Sequence, residues 1–176
     1  MQPSYFILPN GNSLADIKRT GAGTLTSAIL DTFYAAQSGT PEFNKTLIPL
    51  SSEPVGQACA IVRDPIDRFI SSYAFITINT LLQLSVDNVI DQIERQDNVN
   101  PFFIPQTTTI GSFSGVKYYD FAKGLDPVSV DLGLPVPAAT YFEPSLSAKP
   151  TLTQVQIDRL NVIYAADLSL YASISS

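Results

Sequence analysis

With 176 residues, 45% of them hydrophobic and 15% charged, the chain has the size and composition of one globular domain rather than a disordered segment. It contains no histidine and a single cysteine, Cys59, which excludes histidine general bases, Ser-His pairs, His-ligated zinc, CxxC redox chemistry and an internal disulfide. A net charge of −6 argues against a broad nucleic-acid surface and makes the placement of each cation informative.

The opening segment, MQPSYFILPNGNS, lacks a basic region and a long apolar core, so no signal peptide is expected. No apolar stretch reaches the roughly 18 residues that span a bilayer. Tyr5-Leu8 reads as a short strand, and Asn10-Gly11 as a hairpin turn, because both residues tolerate positive φ. Residues 13–19 would be the returning strand. The small-residue stretch Thr20-Gly21-Ala22-Gly23-Thr24 then opens into a helix over 25–36, with Leu25, Ala28, Ile29 and Phe33 on one face.

Residues 57–62 form a compact apolar run suited to a strand buried on both faces of a parallel sheet, and Cys59 within it reads as a buried small hydrophobe. Asp64-Pro65 is a helix start, with Asp64 as cap and Pro65 in the first turn. The helix predicted over 66–84 carries Phe69, Tyr73, Ile76 and Thr80 as its stripe. Ser85 caps a further short helix with Val86, Val89, Ile90 and Ile93 as its apolar face. In the proline- and glycine-punctuated stretch 98–150, the expected strands are 116–121 and 138–142. A closing helix starts at Thr151 or Thr153 and buries Ile157, Leu160, Tyr164, Leu168 and Tyr171. No repeat or linker divides the chain, so residues 1–176 read as a single domain. Strand, loop and helix recur twice, which predicts an α/β fold: a small parallel sheet flanked by helices, with an N-terminal hairpin.

Two segments carry chemistry. In residues 17–25 a small-residue loop at a helix start lets backbone amides approach a phosphate, with Arg19 as a fixed charge and Thr20 and Thr24 as hydroxyl donors. A tight turn packed against a strand accounts for its glycines equally well. The Walker pattern is absent, because no lysine follows the last glycine. With no acidic magnesium pair either, a kinase is disfavoured. The second segment is Val62-Arg63-Asp64-Pro65-Ile66-Asp67-Arg68-Phe69-Ile70-Ser71-Ser72-Tyr73. Arg63 lies at the carboxyl end of the predicted strand, where α/β proteins place ligands, so Arg63 and Ser71 would converge on one anion. The structural alternative is a helix cap with a surface contact between Arg68 and Asp64 or Asp67.

This second segment resembles the 3′-phosphate-binding segment of sulfotransferases, roughly R-(D/N)-P-x-x-R-x-x-S-x-Y/F, with Arg63, Asp64, Pro65, Arg68, Ser71 and Tyr73 at its fixed positions. The first resembles that family's 5′-phosphosulfate loop, with Arg19 at the lysine position, then Thr20, and Leu25 closing the loop. Asn100-Pro101-Phe102-Phe103-Ile104-Pro105-Gln106 is similar to the family's apolar-Pro-Gln segment. Ile163-Tyr164, Asp167 and Leu170-Tyr171 are similar to its closing helix. The resemblance implies a P-loop-like sulfotransferase fold of the carbohydrate-sulfotransferase kind, and transfer of a sulfuryl group from 3′-phosphoadenosine 5′-phosphosulfate, a co-substrate, to a hydroxyl or amine of an acceptor it does not name. Arg19, Thr20, Gly21, Ala22, Gly23, Thr24 and Leu25 would cradle the 5′-phosphosulfate, and Arg63 with Ser71 would hold the 3′-phosphate.

The chain also departs from the pattern. Arg19 keeps the charge of the family's lysine but not its proton, and Lys18 would substitute if the register slipped by one. The family's frequent catalytic histidine is missing, which leaves Glu42 or Glu53, between the two segments, as candidate bases or as solvated loop residues. No carboxylate cluster suggests a metal. The aromatic stretch 101–119 either lines an acceptor cleft or, with Phe102, Phe103 and Phe113, packs in the core. The expectation is a cytoplasmic sulfotransferase with no membrane span and no nucleic-acid partner. The alternative is a non-catalytic structural or interaction protein on the same scaffold, such as a virion component assembled into a larger particle.

Overall fold

The computed structural model describes residues 2–20, 22–33, 48–79, 84–134 and 148–175. In chain order the elements are β1 (Tyr5–Ile7), β2 (Ser13–Ala15), α1 (Ala22–Phe33), β3 (Leu50–Ser51), β4 (Ala58–Val62), α2 (Pro65–Asn79), α3 (Val86–Arg95), α4 (Gln106–Ile110), β5 (Lys117–Asp120), α5 (Asp126–Asp131), α6 (Gln154–Ile163) and α7 (Ala165–Ser175). Short 3-10 turns at Pro101–Phe103 and Phe121–Lys123 flank α4 and β5.

One five-stranded sheet joins the strands in the order β3-β1-β2-β4-β5. It is mixed rather than wholly parallel. β2, β4 and β5 run parallel, while β1 is antiparallel to both neighbours. The turn that contains Asn10-Gly11 is responsible, because so short a connection, closed by the Leu8 amide on the Asn12 carbonyl, can only reverse the chain, and Gly11 adopts φ +85° at its corner. The edge strand β3 has no counterpart in the sequence reading. The returning strand is also shorter than expected and stops at Ala15. From there the Asp16 amide donates to the Ser4 carbonyl, the Ile17 amide to that of Ala15, and Arg19 enters the left-handed region at φ 64°.

Alternation along β4 divides the core. Cys59 and Ile61 face Phe6, Leu14, α1 residues Leu25 and Ile29, and α5 residue Val128. Ala58, Ala60 and Val62 face Tyr5, Ile17, Ile110 of α4 and Leu170 and Ile174 of α7. Cys59 is fully buried, and burial pushes its thiol pKa up. A third apolar cluster lies among helices, with Phe69, Val89, Ile90, Ile93, Phe103, Leu160 and Tyr164 joining α2, α3 and α6. Phe103 is thus a core residue, while Phe102 stacks on Phe75 and Phe113 packs edge-on against Tyr5.

The helix starts follow their caps. Asp64 Oδ1 accepts from the amides of Ile66 and Asp67 at 2.9 Å each, and Ser85 Oγ accepts from Asn88. Thr153 and Gln156 form a reciprocal capping box. α1 begins three residues before its expected start at Leu25, and α2 is described to Asn79. The expected single closing helix is two, divided at Tyr164, whose hydroxyl donates to the Phe103 carbonyl at 2.7 Å. Of its expected stripe, Leu160 and Tyr164 are buried, while Ile157, Leu168 and Tyr171 are half-buried. The strand expected over 138–142 lies outside the described residues. No helix of the described residues is long and apolar enough to cross a membrane.

Candidate functional site

The carboxyl ends of β2 and β4, adjacent parallel strands, lead into the two segments that the sequence singles out. Beyond β2 the chain turns through Arg19 into α1, and beyond β4 it passes Arg63 and Asp64 into α2. The turn brings Arg19 over α2. Its Nε donates to Ser71 Oγ at 3.2 Å, and its guanidinium lies 4.8 Å from the centre of the Phe75 ring, one turn further along. Arg63 reaches across from β4, and its Nη1 donates to the Arg19 carbonyl at 3.5 Å. Its guanidinium stacks 5.0 Å above Phe121, just past β5. Arg19 therefore links Arg63, through its carbonyl, to Ser71, through its guanidinium, at one end of the sheet.

The left-handed backbone at Arg19 sets this geometry. A non-glycine residue there costs about 1–2 kcal/mol, so the turn persists only because its surroundings hold it. Thr20 is one of those holds. It is fully buried, and its hydroxyl donates to the Ile17 carbonyl at 3.0 Å, so the donor expected for a ligand is spent on the turn. Gly21 lies outside the described residues. Ala22, Gly23, Thr24 and Leu25 form the first turn of α1 rather than a loop, and the Leu25 side chain is core. At α2 the helix N-terminus is already occupied by the Asp64 carboxylate, so an anion at this end would be met by side chains.

Half-buried Arg63 has its pKa lowered by burial, against the opposing pull of Asp67 and Asp64. A guanidinium stays protonated through such a shift. Among the described residues no carboxylate forms a salt bridge with Arg63. Lys18 is placed differently, because its Nζ pairs with Asp16 at 2.6 Å. Glu53 is exposed in the turn after β3, and β1 and β2 lie between that strand and β4. Glu42 lies outside the described residues. Among the described residues no group of three or more acidic or cysteine side chains could hold a metal ion.

Three residues do more here than their place in the sequence suggests. Arg68 makes no surface contact with Asp64 or Asp67. It is 1% exposed, donates to the carbonyls of Phe102 at 3.0 Å and Ile104 at 2.7 Å, and lies over the Tyr164 ring. Asp167, fully buried, accepts from the amides of Gln106 and Thr107 at 2.7 and 2.9 Å and from the Thr107 hydroxyl at 2.7 Å. Gln106, also fully buried, accepts from the Arg63 amide at 3.0 Å and donates to the Arg63 carbonyl at 2.8 Å. The available signal was spacing, since Leu160, Tyr164, Asp167 and Tyr171 share one helical face, and a carboxylate on a buried stripe needs donors. No protein-family model, curated protein or solved structure matches the chain.

Proposed function

We propose that the protein is a sulfotransferase that binds 3′-phosphoadenosine 5′-phosphosulfate at the carboxyl ends of β2 and β4 and transfers its sulfuryl group to a hydroxyl or amine. The observation that carries the reading is the meeting of Arg19, Arg63 and Ser71 through bonds of 3.2 and 3.5 Å, with Arg63 in no salt bridge among the described residues. Forked guanidinium donors suit phosphate and sulfate oxygens. The RDPxxRxxS spacing, with its resemblance to the sulfotransferase segment, supports the same division of labour. Arg63 and Ser71 take the 3′-phosphate, and Arg19 with the start of α1 takes the 5′-phosphosulfate.

In the reaction the acceptor oxygen or nitrogen forms a bond to sulfur while the bond from sulfur to the bridging 5′-phosphate oxygen breaks. Charge accumulates on the departing phosphate. Arg19 stabilises it electrostatically and gives up no proton, since a guanidinium does not deprotonate. The acceptor proton goes to a carboxylate or to solvent.

The exposed position of Glu53, in the turn after the edge strand β3, favours as a second reading a nucleotide-binding protein without turnover, serving a structural or interaction role. Calorimetry with 3′-phosphoadenosine 5′-phosphate tests the first step. Saturable binding supports the anion site, and its absence removes both the donor and the assignment. Binding without release of desulfated nucleotide across a panel of alcohol and amine acceptors would favour the second reading.

A further inference from the structure

Arg63 sits where β4 ends, and a residue at a strand end has lost one side of its ladder. Its amide and carbonyl are both taken by one side chain, Gln106, at 3.0 and 2.8 Å. This is the pairing that a neighbouring strand would have supplied, made instead by a fully buried amide group. Gln106 is itself held at the first position of α4, where its amide and that of Thr107 donate to the Asp167 carboxylate. Asp167 belongs to α7, which packs on the same face of the sheet as Val62, the residue before Arg63.

The segment that carries Gln106 is gripped on its other side by a cation. Arg68 of α2 takes the carbonyls of Phe102 and Ile104, and Tyr164 donates to the carbonyl of Phe103 between them. The backbone carbonyls of Phe102 and Ile104 thus face a buried guanidinium, and backbone amides at 106–107 face a buried carboxylate. The two charges compensate through the peptide segment between them and form no salt bridge with one another. The same segment reaches the other arginine, since Phe102 stacks at 5.1 Å on Phe75, the ring under Arg19.

We infer that Gln106, held by Asp167 and Arg68, is the positioning residue for the anion site: it fixes the backbone of Arg63 so that the guanidinium is presented for a 3′-phosphate. This rests on the nucleotide reading above for the ligand, but not for the brace itself. Gln106 touches no reacting atom, and its effect passes through Arg63.

The experiment uses the full chain, with Gln106→Met, which keeps the length and removes both bonds, and Gln106→Glu, which keeps the acceptor for the Arg63 amide. Calorimetry compares 3′-phosphoadenosine 5′-phosphate with adenosine 5′-phosphate, so that the ratio of affinities isolates the 3′-phosphate. With two hydrogen bonds lost, Gln106→Met is expected to lower that ratio about tenfold, leave adenosine 5′-phosphate binding unchanged, and be partly rescued by Gln106→Glu. Amide hydrogen exchange runs in parallel. The Arg63 amide should exchange much faster in Gln106→Met, while those of Cys59 to Ile61 stay protected. Equal affinities for the two nucleotides in the wild type would overturn the nucleotide reading, and the brace would still be judged by exchange. Wild-type exchange at Arg63 in Gln106→Met, or an unchanged affinity ratio in a protein that does distinguish the nucleotides, would overturn the positioning role. A variant that unfolds is replaced by Asp167→Asn, which keeps an acceptor oxygen and should shift both readouts in the same direction by less.

Discussion

On the seam between α3 and α6, Arg159 meets carboxylates, with Asp91 at 2.6 Å, Glu94 at 2.7 Å and Asp87 at 3.8 Å. At the carboxyl end of β4, Arg63 and Arg68 meet carbonyls and ring faces, and among the described residues neither forms a salt bridge. In the first region the positive charge is cancelled where it stands. In the second it is oriented with no carboxylate in direct contact, and buried Asp167 offsets Arg68 only at a distance, spending its oxygens on backbone amides and the Thr107 hydroxyl. Neutral partners that hold a cation's geometry without quenching its field are what an anion site requires. In an acidic chain, such a concentration of cations needs a reason.

The sharpest way to break the contrast is at Asp167. Replacing it by Ala strands two amides and removes the anion that compensates buried Arg68, so a loss of about 3–5 kcal/mol is expected in urea unfolding. A loss below 1 kcal/mol would show that the charge is not compensated as described. Next in size, Arg63→Ala should weaken binding of 3′-phosphoadenosine 5′-phosphate by about 1.5–3 kcal/mol, with the unfolding midpoint nearly unchanged. The same calorimetry reads it, and an unaltered affinity in the folded variant removes Arg63 from the site.

A third test separates arginine from tyrosine. Burial pushes the Tyr5 phenol from 10.0 up to about 12. The neutral phenol is favoured in the fold, so its contribution is complete below pH 10 and is lost as pH rises toward 12. Arginines in both regions stay charged through that window. Tyr5→Phe should therefore flatten part of the alkaline loss of stability. The remainder falls to tyrosines such as Tyr119 and Tyr164, which burial also pushes upward. An alkaline profile unchanged by Tyr5→Phe would assign the whole loss to the other buried tyrosines and remove Tyr5 from it.

The smallest effect is expected at Arg159. Its hydrogen bonds hold the Asp91 and Glu94 carboxyls below their ordinary pKa values, so the seam helps above the carboxylate range and fades as pH falls through it. The groups are solvent-facing, so Arg159→Ala should lower the melting temperature slightly at low salt and not at high salt. A salt-independent loss would mean that Arg159 acts by packing rather than by charge.

Much of this arrangement was legible in local signals. The Asn-Gly turn, the Asp64-Pro65 start and the Ser85 cap each depend on a few neighbouring residues and are found, the apolar run at 57–62 is a strand from Ala58, and of the two candidate starts Thr151 and Thr153 the cap is Thr153. β3 was not legible, because a two-residue strand carries no periodicity and exists through pairing with β1. Nor was the end of β2, which is set by the bond from the Asp16 amide to Ser4 across the hairpin. Of the candidate site, Arg19, Arg63 and Ser71 were singled out and are brought together. The link through Arg19 was not foreseen, because no sequence rule places a left-handed arginine. Lys18 and Glu53 show the converse. Position between two motifs says nothing about direction, and these side chains are set by Asp16 and by the sheet edge. Gln106 and Asp167 fell within recognised segments, but their roles depend on contacts 43 and 61 residues away along the chain.

The hairpin turn bears on how the chain comes together in time. The Asn10 side chain donates to the Leu132 carbonyl, 122 residues later, and the Tyr5 hydroxyl to Ile110, 105 residues later. During synthesis at roughly 5–20 residues per second, the hairpin waits on the order of ten seconds for these two bonds. β2 and β3 cover both edges of β1 early, but until those later residues emerge the Tyr5 side chain lies uncovered on the face of the young sheet. High sequence separation also slows closure from the unfolded state. Expression temperature and translation speed should therefore govern the soluble yield of this protein more strongly than its equilibrium stability does.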